Sequence, residues 1–233
     1  MSAATGGPGQ LLLDLGHRPS LAGDDFLVAP CNAAAVKWID AWPGWPAPLV
    51  VIFGPSGSGK SHLAQVFLAK TGGRAISARD VARGEPARLF GDAPALVLDD
   101  AERALDRSGE EALLHLYNPA RDVGRHLLLT AHRPPARWPT RLADLASRLK
   151  AAPHAAIGDP DDALIAAVLV KQFADRQLPV DDDVISFMVR RMVRSFAALR
   201  IAVERIDHLS LAERRRVTVP LARRVLDSQS ENT

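Results

Sequence analysis

The chain has few of the residues that would make it a disulfide-stapled or membrane-spanning protein. A single cysteine, Cys31, stands among 233 residues. That excludes an intramolecular disulfide framework and a cysteine-based zinc site, and it suits a reducing compartment. No apolar run approaches the ~18 residues that a membrane-crossing helix needs. Residues 1–9 carry neither a positive charge nor a long apolar core, so no secretory signal is expected. The formal net charge of +2 is too small to point to nucleic acid on its own. No His/Glu spacing resembles a metal site, and no internal repeat is visible. A cytoplasmic location follows from these absences as an expectation.

What is present is an alternation of short apolar runs and helical patterns. Apolar runs at Leu49–Phe53, Ala95–Asp99 and His126–Thr130, with a shorter one at Arg74–Ser77, read as strands. Between them, Ser61–Lys70, a segment within Arg79–Phe90, and Glu110–Tyr117 read as helices, and Leu142–Leu149 closes the series. Strands alternating with helices imply an α/β fold with a parallel sheet. A further short helix, Ala33–Trp42, precedes the first of these strands and is stopped by the proline-rich loop Trp42–Pro48. After Gly158-Asp159-Pro160 the pattern turns all-helical, with helices expected over Ala163–Arg176, around Val184–Met192, over Phe196–Ile206 and over Pro220–Ser228. The expected organisation is an N-terminal arm over 1–24, an α/β nucleotide-binding domain over 25–157, and a small helical lid over 158–233.

The strongest local signal is Gly54-Pro55-Ser56-Gly57-Ser58-Gly59-Lys60-Ser61, which matches the phosphate-binding pattern G-x-x-x-x-G-K-[ST] between a strand and a helix. Backbone N–H groups from Gly54, Gly57, Ser58 and Gly59 would turn around a β-phosphate, with His62 in the first turn of the helix. Lys60 would add a charge at the β/γ position, and the Ser61 hydroxyl would ligate Mg²⁺. Asp99, at the carboxyl end of its strand, is placed to hold the same Mg²⁺ through water. Asp100 is either the group that orients an attacking water or a turn or cap aspartate. Thr130 is a candidate γ-phosphate sensor, and His132 is a second candidate or a structural histidine. Two arginines are singled out. Arg148 closes the α/β unit where a neighbouring subunit could meet it, and Arg194 opens a lid helix from which it could reach the chain's own nucleotide.

Phosphate loop, Asp99-Asp100, Thr130, Ser147-Arg148 and Arg194, in this order and followed by a helical lid, resemble the AAA+ module of the DnaA replication initiators. Asp25-Phe26-Leu27-Val28-Ala29-Pro30-Cys31-Asn32 resembles the segment that enters the adenine pocket of that family, with Phe26 and Val28 as base contacts. Leu142–Leu149 is particularly similar to the Hda family, small DnaA homologues that inactivate DnaA. The resemblance implies adenine nucleotide (ADP or ATP) with Mg²⁺ as cofactors. Intact Lys60 and Ser61 leave turnover by this chain open, while Asp100, one methylene shorter than the glutamate usual in strong AAA+ hydrolases, and His132, in place of an aspartate of DnaA, lead to an expectation of slow or no intrinsic hydrolysis. The resemblance implies Arg148 as an arginine finger acting in trans on DnaA-bound ATP. It also gives a reading to the apolar island Gln10-Leu11-Leu12-Leu13-Asp14-Leu15, otherwise a first strand or a docking peptide. In that family a glutamine-led motif binds the DNA polymerase III sliding clamp (β subunit), so Gln10, Leu11, Leu13, Asp14 and Leu15 become partner contacts. The implied partners are therefore the clamp and DnaA, with a homodimer compatible, and with no sequence-specific DNA binding and no membrane. The competing reading is an autonomous AAA+ ATPase of the helicase-loader type, acting on single-stranded DNA and the replicative helicase, with Arg214-Arg215-Arg216 as its DNA contact.

Overall fold

A computed structural model describes residues 17–18, 26–83, 86–213 and 215–230. The chain first forms a small antiparallel ladder of β1 (His17–Arg18) and β2 (Phe26–Leu27). Neither strand is evident from periodicity, being only two residues long. Helix α1 (Ala33–Ala41) leads to β3 (Leu49–Phe53), and α2 (Lys60–Thr71) follows the phosphate loop. Next come β4 (Arg74–Ile76), α3 (Ala78–Arg83), α4 (Pro86–Phe90), β5 (Ala95–Leu98), α5 (Arg107–Asp122), β6 (His126–Ala131), α6 (Ala143–Ala151) and β7 (His154–Ala156). Four more helices complete the chain, α7 (Asp162–Asp175), α8 (Asp182–Arg191), α9 (Phe196–Glu213) and α10 (Val219–Ser230).

Strands β3 to β7 form one parallel sheet in the order β4-β5-β6-β3-β7. Its central strands are apolar at nearly every position because both faces are covered, which is what a parallel sheet requires. On one face, Leu96, Leu98, Leu127 and Leu129 pack with Leu113, Leu116 and Leu145 of α5 and α6. On the other, Val50, Ile52 and Leu128 pack with Ile39 of α1 and with Leu63 and Phe67 of α2, and Trp45 stacks on Phe67 at 5.3 Å. Strand β3 lies between β6 and β7, while the chain leaving it crosses to β4 at the far edge. The reversal opens a crevice at the carboxyl ends of β3 and β6, where α/β sheets receive ligands.

Two expected elements differ in detail, and one strand was not expected. The helix expected within Arg79–Phe90 is two short ones, the second opening on Pro86, a residue suited to a first turn and not to a helix interior. Helix α5 is longer than the expected Glu110–Tyr117: the Asp106 side chain caps its start by accepting from the Gly109 N–H at 2.8 Å. It then runs through Pro119, because Leu116 and Ala120 are buried on the sheet and hold the last turn in place. Strand β7 is not visible as a pattern; only three residues long, it is recruited by pairing with Val51, Ile52 and Phe53.

The four C-terminal helices share their own core, with Leu169, Phe173, Met188, Val203, Ile206 and Ala222 among its buried residues. Asp161 caps α7 by accepting from the Leu164 N–H at 2.8 Å. No helix among the described residues is long and apolar enough to cross a membrane.

Candidate functional site

The loop after β3 is shaped by two glycines in left-handed conformations, Gly57 (φ +74°) and Gly59 (φ +97°), which residues with a Cβ rarely adopt. Lys60 then opens α2 with its side chain almost fully covered. Its ammonium donates to the Gly54 and Pro55 carbonyls at 2.9 and 2.8 Å. Burial pulls the Lys60 pKa down, while the nearby carboxylates Asp100, Asp99 and Glu102 oppose that shift. The Ser58 hydroxyl, buried in the same loop, has no hydrogen-bond partner among the described residues. An unsatisfied buried hydroxyl in a glycine-rich loop that opens a helix, beside a buried lysine ammonium, is a chemistry that fits the phosphates of a nucleotide.

At the edge of the sheet, Asp99 follows β5 and faces the start of α2. Ser61 Oγ donates to Asp99 Oδ2 at 2.7 Å, and Thr130 Oγ1 donates to Asp99 Oδ1. Thr130, wholly buried on β6, also accepts from the Asp100 N–H at 3.0 Å. The hydroxyl of Ser61 and the carboxylate of Asp99 form a hard-oxygen pair beside the loop, a donor set that suits Mg²⁺. Asp100 adopts φ +51°, a conformation costing of order 1–3 kcal/mol outside glycine. Its carboxylate makes no capping bond and instead faces His132 Nε2 at 3.3 Å and Arg103 at 3.6 Å. His132 is thus the partner of Asp100 and stands at the same edge.

The segment expected to meet the base, residues 27–32, packs against the start of the lid. Leu27, Ala29 and Leu164 pack together, with Cys31, Val168 and Phe196 against them. Buried Asn32 ties this loop to itself, accepting from the Ala29 N–H and donating to the Leu27 carbonyl, both at 2.9 Å. Gly158 N–H donates to the Cys31 carbonyl at 2.9 Å, so the loop is also joined to the point where the lid begins. Burial, followed by Asp161, pushes the Cys31 thiol above its ordinary range. Val28 is half-buried against the α1–α2 core, and the Phe26 side chain lies outside the described residues. From the lid, Phe196 N–H donates to the Gly57 carbonyl at 2.9 Å. Arg194 lies just before α9, ion-paired with Asp162 at 2.9 Å.

Arg148 is in the last turn of α6, a helix that packs with α5 on the sheet face opposite α2. Its guanidinium forms a two-pronged pair with Asp144, Nε to Oδ1 at 2.9 Å and Nη2 to Oδ2 at 3.0 Å, and lies 4.7 Å over the ring of Tyr117 from α5. Hydrogen bonds from Arg148 hold the Asp144 carboxyl below the usual range. Helix α6 has no side-chain cap of its own. The carboxylate of Glu110 on α5, almost wholly buried, accepts from the Arg141 N–H at 3.1 and 2.9 Å and from the Leu142 N–H at 2.8 Å. Removing it leaves two backbone donors unsatisfied. Glu110→Ala is therefore expected to cost about 2–4 kcal/mol, seen as a lowered midpoint in urea unfolding.

The site thus brings Gly54, Gly57, Ser58, Gly59, Lys60, Ser61, Asp99, Asp100, Thr130 and His132 to one sheet edge, with His62 in the first turn of α2. Arg148 is held apart on the α5–α6 side. Gln10, Leu11, Leu13, Asp14 and Leu15 lie outside the described residues, as does Arg214. Glu110, Tyr117, Asp144 and Asp162 are contacts that sequence reading missed. Asn32 stands in the segment compared with the adenine pocket and directly before a helix, but the bonds by which it ties its own loop were not read.

Comparison with known proteins bears on both parts of the fold. Residues 161–226 match the family model described as "Hda, lid domain". The fold is similar to domain III of the replication initiation protein DnaA from Thermotoga maritima, at 18% identity and a TM-score of 0.79, over 91% of this chain and 98% of that one. It is also similar to AMPPCP-bound DnaA from Aquifex aeolicus, at 20% identity and a TM-score of 0.66, over 82% of this chain and 65% of that one. A RuvB mutant from Thermotoga maritima matches at 14% identity and a TM-score of 0.71, over 91% of this chain and 73% of that one. The α/β sheet with a helical lid is therefore an AAA+ fold.

Proposed function

With an Hda lid on a fold shared with DnaA domain III, this chain is an Hda-type DnaA homologue, and we propose that it is a negative regulator of replication initiation that stimulates hydrolysis of DnaA-bound ATP. In this reading the chain, holding adenine nucleotide and tethered to the sliding clamp, inserts Arg148 at the γ-phosphate held by DnaA. An arginine there stabilises the charge that develops in the transition state. The observation that carries the reading is the separation of two sets of groups. The phosphate-loop set lies at the sheet edge, while Arg148 is fixed on a different side by Asp144 and Tyr117. A finger for a neighbour's nucleotide must face away from the chain's own.

The chain's own nucleotide then serves as a conformational ligand. Loop N–H groups and Lys60 would bind its phosphates, Ser61 and Asp99 would hold Mg²⁺, which would neutralise phosphate charge, and residues 26–28 would cover the base. Thr130 fixes Asp99, and His132 fixes Asp100. Arg194, paired with Asp162 in this structure, would turn to the phosphates of this nucleotide, and the nearby Phe196–Gly57 hydrogen bond joins the loop to the lid. Intrinsic turnover is slow or absent in this account. The shorter carboxylate at Asp100, where strong AAA+ hydrolases resemble one another in using glutamate, is committed to His132 and Arg103.

The helicase-loader reading is less well supported. Arg215 and Arg216 border a cleft of about 310 Å³ whose other walls include Leu178, Pro179, Leu211 and Val217. Aliphatic walls give unpaired bases no ring to stack on.

Tethering is tested with a chain lacking residues 10–15. It is expected to lose its complex with the clamp, to bind ADP as the intact chain does, and to need about 10²-fold or more protein for the same effect on DnaA, the loss expected when effective concentration is removed. A normal clamp complex from the shortened chain would sink the assignment of Gln10–Leu15.

A further inference from the structure

We propose that Tyr117 and Asp144 are positioning residues that hold the Arg148 guanidinium in one orientation, with a two-donor edge presented to the phosphate of a neighbouring subunit. The proposal rests on the reading of Arg148 as a finger acting in trans and goes beyond it by assigning what aims that finger.

An arginine side chain has four flexible torsions and, at the end of a surface helix, would ordinarily sample many rotamers. Arg148 does not have that freedom here. Its side chain is 22% exposed although it lies at the edge of the domain, whereas that of Asp144 is 58% exposed. The covering groups come from two helices. Asp144 lies one turn earlier on α6, at the i,i+4 spacing in which an acidic residue before a basic one is favourable. Tyr117 comes from α5, with its ring face 4.7 Å from the guanidinium carbon.

The donor inventory gives this arrangement its meaning. Guanidinium has five N–H donors in a planar fork, with a side edge made by Nε and one terminal nitrogen and an end edge made by the two terminal nitrogens. Asp144 takes the side edge, through Nε and Nη2. The end edge, Nη1 with the second hydrogen of Nη2, points away from Asp144 and retains the spacing that matches two oxygens of a phosphate. Tyr117 fixes the plane of the fork, and Asp144 fixes its rotation within that plane. Two angular constraints and an anchored backbone leave Arg148 with little to order when a phosphate arrives. The backbone anchor is Glu110, which pins the start of α6 about 7.5 Å along the axis from Arg148.

An Asp144 that merely neutralised Arg148 would be inhibitory, and its removal would raise activity. The positioning account gives the opposite sign. Preorganisation acts on the rate within the assembled complex and not on its formation, so its loss appears in the saturated rate at unchanged half-saturation.

The test is single-turnover hydrolysis of ATP preloaded on DnaA, with DNA-loaded clamp and increasing amounts of the full chain. Tyr117→Leu is expected to lower the saturated rate about fivefold to thirtyfold, the range of a partly desolvated cation–π contact, with half-saturation unchanged. Tyr117→Phe keeps the ring but loses the hydroxyl, which also acts on the guanidinium, and is expected to retain more of the saturated rate than Tyr117→Leu. Asp144→Ala, at an exposed site that is safe for folding, is expected to lower the saturated rate about tenfold or more. Combining either substitution with Arg148→Ala is expected to add nothing to Arg148→Ala alone. A full saturated rate in Asp144→Ala or Tyr117→Leu, a faster one in Asp144→Ala, or a loss confined to half-saturation would overturn the positioning role. If Arg148→Ala itself hydrolyses at the wild-type rate, the underlying finger assignment fails instead, and the two failures are read from separate arms.

Discussion

Arg148→Ala is expected to reduce the stimulated hydrolysis of DnaA-bound ATP by about 10³-fold or more, while leaving the chain's ADP affinity and unfolding midpoint close to wild type. The size of the loss follows from what an arginine does at a γ-phosphate. In the proposed complex the charge that spreads over the equatorial oxygens would be met by the two donors of the guanidinium edge, which alanine cannot supply. The specificity of the loss follows from the fold. Arg148 is on the α5–α6 side of the sheet and contacts Asp144 and Tyr117, not the phosphate loop. Its ion pair with exposed Asp144 contributes little to stability, as surface pairs do. Arg148→Lys is expected to recover little, because an ammonium offers neither the planar fork nor a bidentate edge. Unchanged stimulation by Arg148→Ala in single-turnover assays would remove Arg148 from the chemistry.

Lys60→Ala carries the second large effect, a fall in ADP affinity of roughly 10²- to 10³-fold, the worth of two charge-assisted hydrogen bonds lost from a buried site. Lys60 is almost fully covered, and its ammonium is held against the Gly54 and Pro55 carbonyls within the loop itself. Burial already disfavours its charged form, so a phosphate arriving there replaces weak carbonyl partners with a full negative charge. Titration calorimetry with ADP measures the change directly. If the chain's nucleotide is a conformational ligand, the same variant is also expected to lose stimulation of DnaA, through the lid contacts of Gly57 with Phe196. An ADP affinity equal to wild type would show that the loop is not the nucleotide site.

These two groups were legible in the sequence to different degrees, for physical reasons. The phosphate loop is a local device: its chemistry depends on glycines, a lysine and a hydroxyl within eight consecutive residues, so order along the chain carries the geometry. Strands β3, β5 and β6 were legible for a related reason, since burial on both sheet faces demands unbroken apolar runs. Helices α3 and α4 ran together in the reading because both have apolar residues at similar spacing, and Pro86 marks the break only when it is read as a helix start. Strand β7 could not be read, because His154-Ala155-Ala156 has little strand preference and is ordered by its neighbour β3.

The surroundings of Arg148 were the least legible part. Its ion-pair partner Asp144 lies four residues away, a visible helical spacing, but nothing in the sequence marks that pair above others. Tyr117 and Glu110 are separated from it by a strand and a loop, and they meet it only because α5 and α6 pack side by side on one sheet face. Asp100 shows the same limit in another form. Its place after an apolar strand suggested a water-orienting carboxylate or a turn or cap aspartate; it does stand in a turn directly before a short 3-10 helix (Ala101–Ala104), but its pairing with His132 and Arg103 depends on a left-handed backbone that the sequence does not mark.

The measurement that tests the central claim most directly is hydrolysis of ATP preloaded on DnaA, followed in a single turnover with wild-type chain, ADP and clamp loaded on DNA. The account predicts acceleration that requires the clamp and disappears with Arg148→Ala. No acceleration of DnaA-bound ATP, together with turnover of the chain's own ATP stimulated by single-stranded DNA, would contradict it and favour a helicase-loader activity.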